Sequence, residues 1–334
     1  MRIAIDAMGG DHAPAMIVRG AVEGREFLDR DDVIVLLGRE DAIRAALPAN
    51  LSGGARIEIQ HCPEVIEMDD SPVEALRQKK NSSIVTMARL AADRQVDAVI
   101  SAGNTGACVA ACQLKMRTIG AVQRPGIAVV LPSFHGPLTV CDVGANVSPK
   151  PHHLLQYAQM ASAYAESILG IKNPRVALLS IGGEEVKGSP LVKQTHEALK
   201  KNPLVNFVGN IEGRELYSGA CEVAVCDGFV GNVVLKLTEG LAEGLFKTIS
   251  REIAAESEDL ARRFEPVAQA IWAKHDYSEY GGAPLLGVDG VCIICHGSSD
   301  HRAIRNAVRI AVRYVNSKLN DVIAARVSEE AAGA

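Results

Sequence analysis

The sequence is poor in features that mark whole classes of protein. Only 4% of its 334 residues are aromatic, and it contains one tryptophan. No uncharged apolar run approaches the roughly 18 residues that a membrane-spanning helix needs, so we expect no such helix. Basic residues do not outnumber acidic ones, 35 against 40. Because a phosphate backbone demands clustered positive charge, this balance argues against a nucleic-acid partner.

The first residues, "MRIAIDAMGGD", contain an acid at position six and then a glycine turn. This pattern predicts a first strand rather than a signal peptide. We therefore expect a cytoplasmic protein whose eight cysteines are reduced and buried as small apolar side chains.

The stretch "VCIICHGSSDH" contains the spacing CxxCH of a haem-attachment site, at Cys292, Cys295 and His296. The apolar run predicts a strand here, and successive side chains of a strand point to opposite faces. Two cysteines three residues apart then lie on different faces and cannot hold one ion together. We accordingly expect no haem, no metal and no other cofactor.

Short β-branched runs alternate with helical patterns along the whole chain, which predicts an α/β fold with a mostly parallel sheet and helices on both faces. The predicted strands are Arg2–Asp6, Val33–Leu37, Arg56–Gln60, Asp97–Ser101, Gly126–Leu131, Leu138–Asp142, Arg175–Ile181, Asn206–Val208, Glu222–Asp227 and Val291–His296. The segment 240–284 differs from the rest, because two apolar stripes at helical spacing predict a long helical hairpin. Such a stripe is typical of a core or a subunit interface.

Glycine with Asn, Ser, Asp or Thr follows six of the predicted strands, in "AMGGD", "AGNTG", "VGANVSP", "GGEEVKGSP", "GFVGN" and "GSSDH". The carboxyl ends of parallel strands share one edge of a sheet, so we expect these turns to converge on one cleft. Glycine allows close approach of the main chain, and helix N-termini attract negative charge. The turns therefore predict an anion site.

Neither a P-loop nor a GxGxxG fingerprint occurs, which disfavours a nucleotide. Cations and neutral amides near the turns suit a small oxyanion or phosphate beside a carbonyl that is polarised. These are Lys150, Lys187, Lys236, Arg214 and Arg302, with Asn104, Asn146, Asn210 and Asn232.

Several motifs in colinear order extend from Arg2 to about Val315: "IDAMGGDHAP", "VIEMDDSPVEALRQKKNSS", "DAVISAGNTGA", "DVGANVSPKPHHLLQYAQM", "GNIEGRELYSG", "VCDGFVGNVVLK" and "HGSSDHRAI". With them the chain resembles the acyl-carrier-protein:phosphate acyltransferases of bacterial phospholipid synthesis, the PlsX family. The resemblance implies that a long-chain acyl group moves from acyl carrier protein to inorganic phosphate, giving an acyl phosphate. It also implies a homodimer and a two-lobed α/β/α sandwich with a Rossmann-like sheet, like phosphotransacetylases and isocitrate/isopropylmalate dehydrogenases. On that pattern residues 1–144 and 291–334 form one lobe, and residues 145–290 form the other.

The resemblance, together with the turns, gives a set of candidate site residues. Lys187 is expected to contact phosphate or the oxyanion, and Asn232 to polarise the acyl carbonyl. The remaining candidates for binding phosphate or substrate are Gly9, Gly10, Asp11, Ser101, Gly103, Asn104, Thr105, Gly106, Asn146, Asp227, Gly228, Gly231, His296, Gly297, Ser298 and Ser299. The loop aspartates are expected mainly to orient the turns, since a bare carboxylate repels phosphate.

Acyl carrier protein is acidic, so its docking surface should be basic. Candidates are Arg77–Lys80, Lys115 with Arg117 and Arg124, or Arg262 with Arg263. The 240–284 hairpin could line the acyl groove or lie against the inner face of the plasma membrane, as a peripheral contact.

Two other functions stay open on the sequence. One is a metal-dependent decarboxylating dehydrogenase of the same fold, which requires nicotinamide binding and a compact aspartate triad. The other is a non-catalytic, membrane-attached scaffold that binds acyl ligands.

Overall fold

A computed structural model describes residues 1–51, 53–275 and 280–333. Valine, isoleucine and leucine dominate its inner strands; all six residues of the second strand, "VIVLLG", are buried. The strands are β1 Arg2–Asp6, β2 Val33–Gly38, β3 Arg56–His61, β4 Ala98–Ser101, β5 Gly126–Ser133, β6 Gly136–Cys141, β7 Arg175–Leu179, β8 Asn206–Ile211, β9 Val223–Val225, β10 Ala283–Leu286 and β11 Val291–Ile294.

The helices begin mostly where the sequence provides a capping side chain or a proline. They are α1 Ala15–Gly24, α2 Glu40–Ala46, α3 Pro72–Gln78, α4 Ser83–Ala92, α5 Thr105–Met116, α6 Pro151–Ser167, α7 Pro190–Lys201, α8 Gly228–Glu256, α9 Glu258–His275, α10 His301–Ser317 and α11 Leu319–Gly333.

The α/β fold is confirmed, and each predicted strand is present with small shifts at its ends. Strand β10 was not predicted, because its first two residues lie in the segment assigned to the helical hairpin and its sequence "APLL" shows no alternation of polar and apolar residues. Helix α2 is only seven residues long, too short to give a clear helical period.

The strands form one 11-stranded sheet in the order β3-β2-β1-β4-β11-β10-β5-β6-β9-β7-β8. Strands β3, β2, β1, β4 and β11 are parallel to one another and form the first block. Strands β6, β9, β7 and β8 are likewise parallel and form the second block. Three antiparallel pairings across β10 and β5 join the blocks, so the blocks run in opposite directions. The lobe boundary near residue 144 stays a prediction.

Because of this reversal, the expectation of a single shared edge for all the turns was wrong. The turns are brought together by the register of the strands that join the two blocks. Ile293 of β11 pairs with Pro284, and Leu285 pairs with Ile127, while Ala128 pairs with Cys141. Following this register, Cys141 at the end of β6 is level with Ile293, next to the end of β11. The carboxyl ends of the two blocks therefore face each other near the middle of the sheet.

The helices cover the two faces of the sheet with separate apolar clusters. Ile293 and Cys295 belong to the cluster on one face, and Cys292 and Ile294 to the cluster on the other. The prediction that Cys292 and Cys295 point to opposite faces is thus confirmed. These two side chains do not form a haem or metal site together.

Helices α8 and α9 pack against each other as the predicted hairpin. Along α8 the apolar side chains Leu237, Leu241 and Leu245 recur every four residues and are 67%, 59% and 54% exposed. The stripe is therefore not part of the core of the single chain. Within the described residues, no helix is both long enough and apolar enough to cross a bilayer.

Candidate active site

Turns after β1, β4 and β11 contact one another at the carboxyl end of the first block. The main-chain N–H of Asp11 donates to the carbonyl of Gly297 at 2.8 Å. Gly10, with φ of +101°, lies against the same carbonyl. A Cβ on Gly9 would fall 2.5 Å from the nitrogen of Gly103. Only glycine allows this approach of two main chains.

A buried aspartate connects the first two of these turns. Asp6 accepts from the main-chain N–H of Met8 at 3.1 Å and from the hydroxyl of Ser101 at 2.8 Å. The Ser101 oxygen in turn accepts from the N–H of Gly103 at 3.1 Å. Burial raises the pKa of Asp6, and its hydrogen bonds to serine oppose that rise. Ser101 therefore supports the turn and does not present a free hydroxyl to a ligand.

A second buried aspartate organises the turn after β6. Asp142 is fully buried, and four main-chain N–H groups donate to its carboxylate at 2.7–3.1 Å, from Ile127, Gly144, Ala145 and Asn146. Burial raises the pKa of Asp142, while these hydrogen bonds lower it. The carboxylate thus holds the 143–146 turn around itself.

Helix α8 begins directly against that turn. The N–H of Gly228 donates to the carbonyl of Asn146 at 2.8 Å. A Cβ on Gly231 would overlap the main-chain oxygen of Asp142. The glycines after β9 therefore allow α8 to pack against the β6 turn, which fixes the position of the next turns of the helix.

The candidate asparagines differ in what their side chains bind. Asn104 is fully engaged, because its oxygen caps α5 at Ala107 and its amide nitrogen donates to the carbonyls of Glu67, Met68 and Asp70 at 3.0–3.2 Å. Asn146 donates to the carbonyl of Pro125 at 2.7 Å and accepts from Arg124 at 3.2 Å. The exposed Asn232 side chain makes no hydrogen bond within the part of the chain that the structure describes. It remains available to a ligand.

Three helix N-termini lie behind these turns, and their caps differ in charge. Asp227 caps α8, accepting from the N–H groups of Phe229 and Val230 at 3.0 Å. Asp300 caps α10, accepting from Ala303 at 3.0 Å. The cap of α5 is the neutral Asn104. Since a carboxylate cap offsets the positive end of a helix dipole, α5 is the start best suited to an anion.

One cavity collects residues from both blocks. It encloses about 650 Å³, including space open to solvent. Its polar lining comes mainly from the starts of α5 and α8 and from the β11 turn, and its apolar lining comes mainly from β5, from α8 and from the ends of β6 and β11. The lining residues are Thr105, Ile127, Val129, Val130, Val143, Asn232, Leu235, Lys236, Glu239, Tyr280, Gly282, Ala283, Ile294, Cys295 and His296.

A lysine, a histidine and a serine are connected at the mouth of this cavity. The Lys236 ammonium contacts Nε2 of His296 and pairs with Glu239 at 2.9 Å. Burial and the positive charge of Lys236 lower the pKa of His296, so the imidazole is neutral near pH 7. The main-chain N–H of Ser298 donates to Nδ1 of His296 at 3.2 Å, and the Ser298 hydroxyl lies 2.7 Å from the same nitrogen. The exposed Ser298 hydroxyl is thus held beside His296.

Lys187 lies apart from this group. Its side chain is exposed and folds over Gly182, 3.1 Å from a Cβ placed there, and it does not line the cavity. The described contacts of its turn run to β8 and α7, as between Asn210 and the carbonyl of Glu184 at 3.1 Å. The turn nevertheless leaves the same edge as those after β6 and β9, because β7 is parallel to β9.

Two further candidates have structural surroundings. A Cβ on Gly106 would fall 2.8 Å from Pro72, so this glycine allows α3 to approach α5. Ser299 is buried, and its N–H donates to the carbonyl of His296 at 3.0 Å. Neither lines the cavity.

The site set from the sequence left out Lys236, Glu239 and Tyr280, although Lys236 was noted among the nearby cations. A signal for it was present. Lys236 follows Asn232 by four residues, which places both on one face of α8. Tyr280 lies just before β10. Because that strand was not predicted, the sequence pattern did not place Tyr280 near the cavity.

Comparison with known proteins identifies the family. The family model described as "fatty acid synthesis protein" matches residues 1–322. The chain belongs to this family. It is 51% identical over 320 residues to a phosphate acyltransferase of Desulfitobacterium hafniense, covering 95% of each chain. It is also 50% identical over 314 residues to a phosphate acyltransferase of Heliobacterium modesticaldum, covering 93% of each.

Solved structures share the fold at low sequence identity. A phosphotransacetylase from Streptococcus pyogenes matches with a TM-score of 0.64 and 16% identity, over 95% of this chain and 94% of that one. A branched-chain phosphotransacylase from Enterococcus faecalis matches with a TM-score of 0.59 and 15% identity, over 94% and 99%. The predicted phosphotransacetylase-like fold is therefore confirmed.

Proposed function

We propose that this chain transfers a long-chain fatty acyl group from the thioester of acyl carrier protein to inorganic phosphate. The products are an acyl phosphate, used in phospholipid synthesis, and free carrier. The observation that carries the proposal is the cavity between the two blocks. It combines an apolar lining with a polar mouth at a neutrally capped helix start, and the curated relatives are named phosphate acyltransferases.

We assign inorganic phosphate to the start of α5. The N–H groups of the first turn of a helix have no partner within the helix, and Thr105 in that turn lines the cavity. Phosphate is already partly a dianion near pH 7. It therefore needs to be positioned rather than activated, and fixed donors at a helix start provide this without a general base.

The acyl carbonyl is assigned to the opposite wall, beside Asn232 and Ser298. A phosphate oxygen attacks the thioester carbon and forms the new C–O bond. The C–S bond then breaks, and the carrier sulfur leaves as a thiolate that takes up a proton from solvent. Negative charge develops on the carbonyl oxygen during the attack, so the Asn232 amide and the Ser298 hydroxyl would stabilise the transition state as hydrogen-bond donors. The Lys236 ammonium, in contact with His296, adds positive charge at the same wall.

The apolar lining suits the part of the acyl chain next to the carbonyl. Ile127 and Val129 contribute to it from β5, and Val143 contributes from the turn after β6. Burying a methylene group is worth about 0.8 kcal/mol, so even a few carbons of the chain would anchor the thioester.

Lys187 is proposed as a second phosphate contact. Its ammonium makes no salt bridge to another described residue and sits on a turn bounded by Gly182 and Gly188 at the same sheet edge as the cavity. To reach phosphate, the 181–189 turn has to move toward α5 when substrate binds.

The other two functions find less support. A metal-dependent dehydrogenase requires a compact group of aspartates, yet among the described residues the one group with metal-ligand spacing consists of cysteines. The Asn232 amide lines the cavity and is available to a ligand. A non-catalytic scaffold would have no need of such a polar donor beside the acyl group.

The resemblance also implies a homodimer and peripheral contact with a membrane. The exposed stripe of Leu237, Leu241 and Leu245 supports a surface of one of these kinds, since a monomer in water gains nothing from exposing it. Sedimentation of the purified protein and flotation with liposomes of anionic lipid distinguish the two. The stripe variant Leu241→Gln should weaken whichever association occurs.

The test of the proposed function is direct. Purified protein is mixed with long-chain acyl carrier protein and phosphate, and acyl phosphate is trapped with hydroxylamine. We expect thioester loss that depends on phosphate and forms acyl hydroxamate, and much less of both with Asn232→Ala. Thioester loss that is independent of phosphate would contradict the proposal. Equal activity with acyl coenzyme A and acyl carrier protein would contradict only the choice of donor.

A further inference from the structure

Three cysteines meet in the interior of the first block, away from the cavity. Cys108 and Cys112 are one helical turn apart on α5 and face Cys292 of β11. The sulfur of Cys292 lies 3.9 Å from that of Cys108 and 3.6 Å from that of Cys112. All three sulfurs lie within 4.8 Å of one another. We refer to these residues as the thiol triad.

The triad is enclosed by apolar side chains. Its members are 0%, 0% and 1% exposed, and they belong to the apolar cluster that includes Ile84, Met87 and Met116. None of the three lines the cavity. Among the described residues, no other His, Cys, Asp or Glu has a ligand atom close enough to join the group. The site therefore offers sulfur alone, and three ligands rather than four.

The spacing matches a metal ion bound by three sulfurs in a plane. With metal–sulfur bonds of about 2.3 Å, such a triangle has edges of about 4.0 Å. The sulfur–sulfur separations of 3.6 and 3.9 Å in the structure differ from this by a few tenths of an ångström. A disulfide would require two of the sulfurs to approach to about 2.05 Å, a much larger movement in a packed interior.

The number and kind of ligands select the ion. Thiolates favour soft ions such as copper(I) and zinc(II). Zinc in structural sites is almost always four-coordinate, whereas the triad provides three ligands and its apolar surroundings exclude water as a fourth. We propose that Cys108, Cys112 and Cys292 form a binding site for one copper(I) ion. Thiols that bind release their protons to solvent, and the ion keeps its oxidation state.

The proposed site is independent of the acyl transfer. It would connect the second and third turns of α5 to β11, and so join the helix that begins at the cavity to the strand that ends two residues before His296. Binding to the folded chain should therefore raise its unfolding temperature, to the extent that the unfolded chain binds copper less tightly.

Binding is measured on the full-length protein, reduced and kept under nitrogen, by titration with copper(I) against a coloured copper(I) chelator. We expect one ion per chain to be withheld from the chelator. X-ray absorption at the copper edge should give three sulfur neighbours at about 2.3 Å. Cys112→Ala and Cys292→Ala should each lose the withheld ion.

The matched control is Cys221→Ala, which removes another buried cysteine, from the second block, and should keep the ion. Circular dichroism checks that each variant is folded. If a triad variant does not fold, the absorption spectrum of the unchanged protein decides the question by itself.

Several outcomes would overturn the proposal. They are the absence of a withheld ion, coordination by two sulfurs, loss of the ion in the control variant, and formation of a disulfide on mass analysis. Zinc(II) withheld as tightly, with nitrogen or oxygen as a fourth neighbour, would also overturn it, because the triad would then not be a three-coordinate site.

Discussion

Two lysines follow neighbouring strands of the second block and have different surroundings. Lys236, on α8 after β9, contacts His296 from the first block at the mouth of the cavity. Lys187, in the turn after β7, is exposed, and the described contacts of its turn stay within the second block. Both turns are rich in glycine. Glycine content alone therefore does not identify the turns that form the cavity.

What distinguishes the two turns is the use of their glycines. Gly231 has no room for a side chain, because the Asp142 carbonyl occupies the position of a Cβ. Gly183 in the β7 turn has room, since the nearest heavy atom to a Cβ there is 3.9 Å away. Close main-chain packing holds the β6 and β9 turns together, whereas the close neighbours of Gly182 and Gly188 in the β7 turn are side-chain atoms. The β6 and β9 turns would then form the fixed part of the site, and the β7 turn with Lys187 would be the part that approaches it.

The largest expected effect is on stability and comes from a substitution in the closely packed β9 turn. Gly231→Ala places a methyl group on main-chain atoms that cannot move aside, and it should lower the free energy of unfolding by about 3 kcal/mol. Gly183→Ala, the matched control in the β7 turn, should change it by less than about 0.5 kcal/mol. Urea unfolding measures both. Equal effects would mean that the two turns do not differ as described.

Removal of the lysine in the cavity should reduce catalysis. Loss of Lys236 removes positive charge beside the developing oxyanion, so Lys236→Ala should lower kcat by about 100-fold. The hydroxylamine assay measures this. Lys247→Ala is the control, since Lys247 lies on the same helix and pairs only with Glu243 in the described salt bridges. A comparable loss in the control would point to a general effect on α8.

Removal of Lys187 should affect phosphate binding more than turnover. A charge-assisted hydrogen bond contributes about 1.5 kcal/mol, so Lys187→Ala should raise KM for phosphate roughly tenfold. We expect kcat and KM for the acyl donor to change less, because the contact would be with phosphate alone. Steady-state kinetics with varied phosphate decide this. An unchanged KM for phosphate would remove Lys187 from the site.

The smallest expected effect is a shift in the pH dependence of kcat/KM when Lys236 is removed. The positive charge of Lys236 helps to lower the pKa of His296 below its usual value of about 6.5. Protonation of His296 breaks the hydrogen bond that its Nδ1 accepts from the main-chain N–H of Ser298, so activity should fall as the pH drops through that lowered pKa. Lys236→Ala removes one cause of the lowering and should shift this acid limb of kcat/KM to higher pH. Lys187→Ala should leave the limb in place, and a shift there would contradict the separation of the two lysines.

The order of strands and helices could be predicted from the sequence because apolar periodicity and capping residues are local. Asp300, for example, caps α10 as the turn chemistry suggests. The opposed directions of the two blocks could not be predicted in this way. They depend on β10, four residues whose pairing with β5 and β11 is decided by contacts distant in sequence.

The candidate site shows the same limit. Residue types identified the glycine turns and Asn232, but not which amides are engaged by the main chain, as those of Asn104 and Asn146 are. The strand period correctly separated Cys292 from Cys295. It could not indicate that Cys292 faces two cysteines on α5, because that contact joins residues 180 or more apart.

The central claim is that turns from two opposed blocks form one phosphate-binding cavity. A crystal structure of the protein soaked with inorganic phosphate tests it most directly. We predict phosphate at the start of α5, within hydrogen-bond distance of Thr105 and across the cavity from Asn232. Phosphate bound only at the 181–189 turn or on the outer surface, with the cavity empty, would contradict the account.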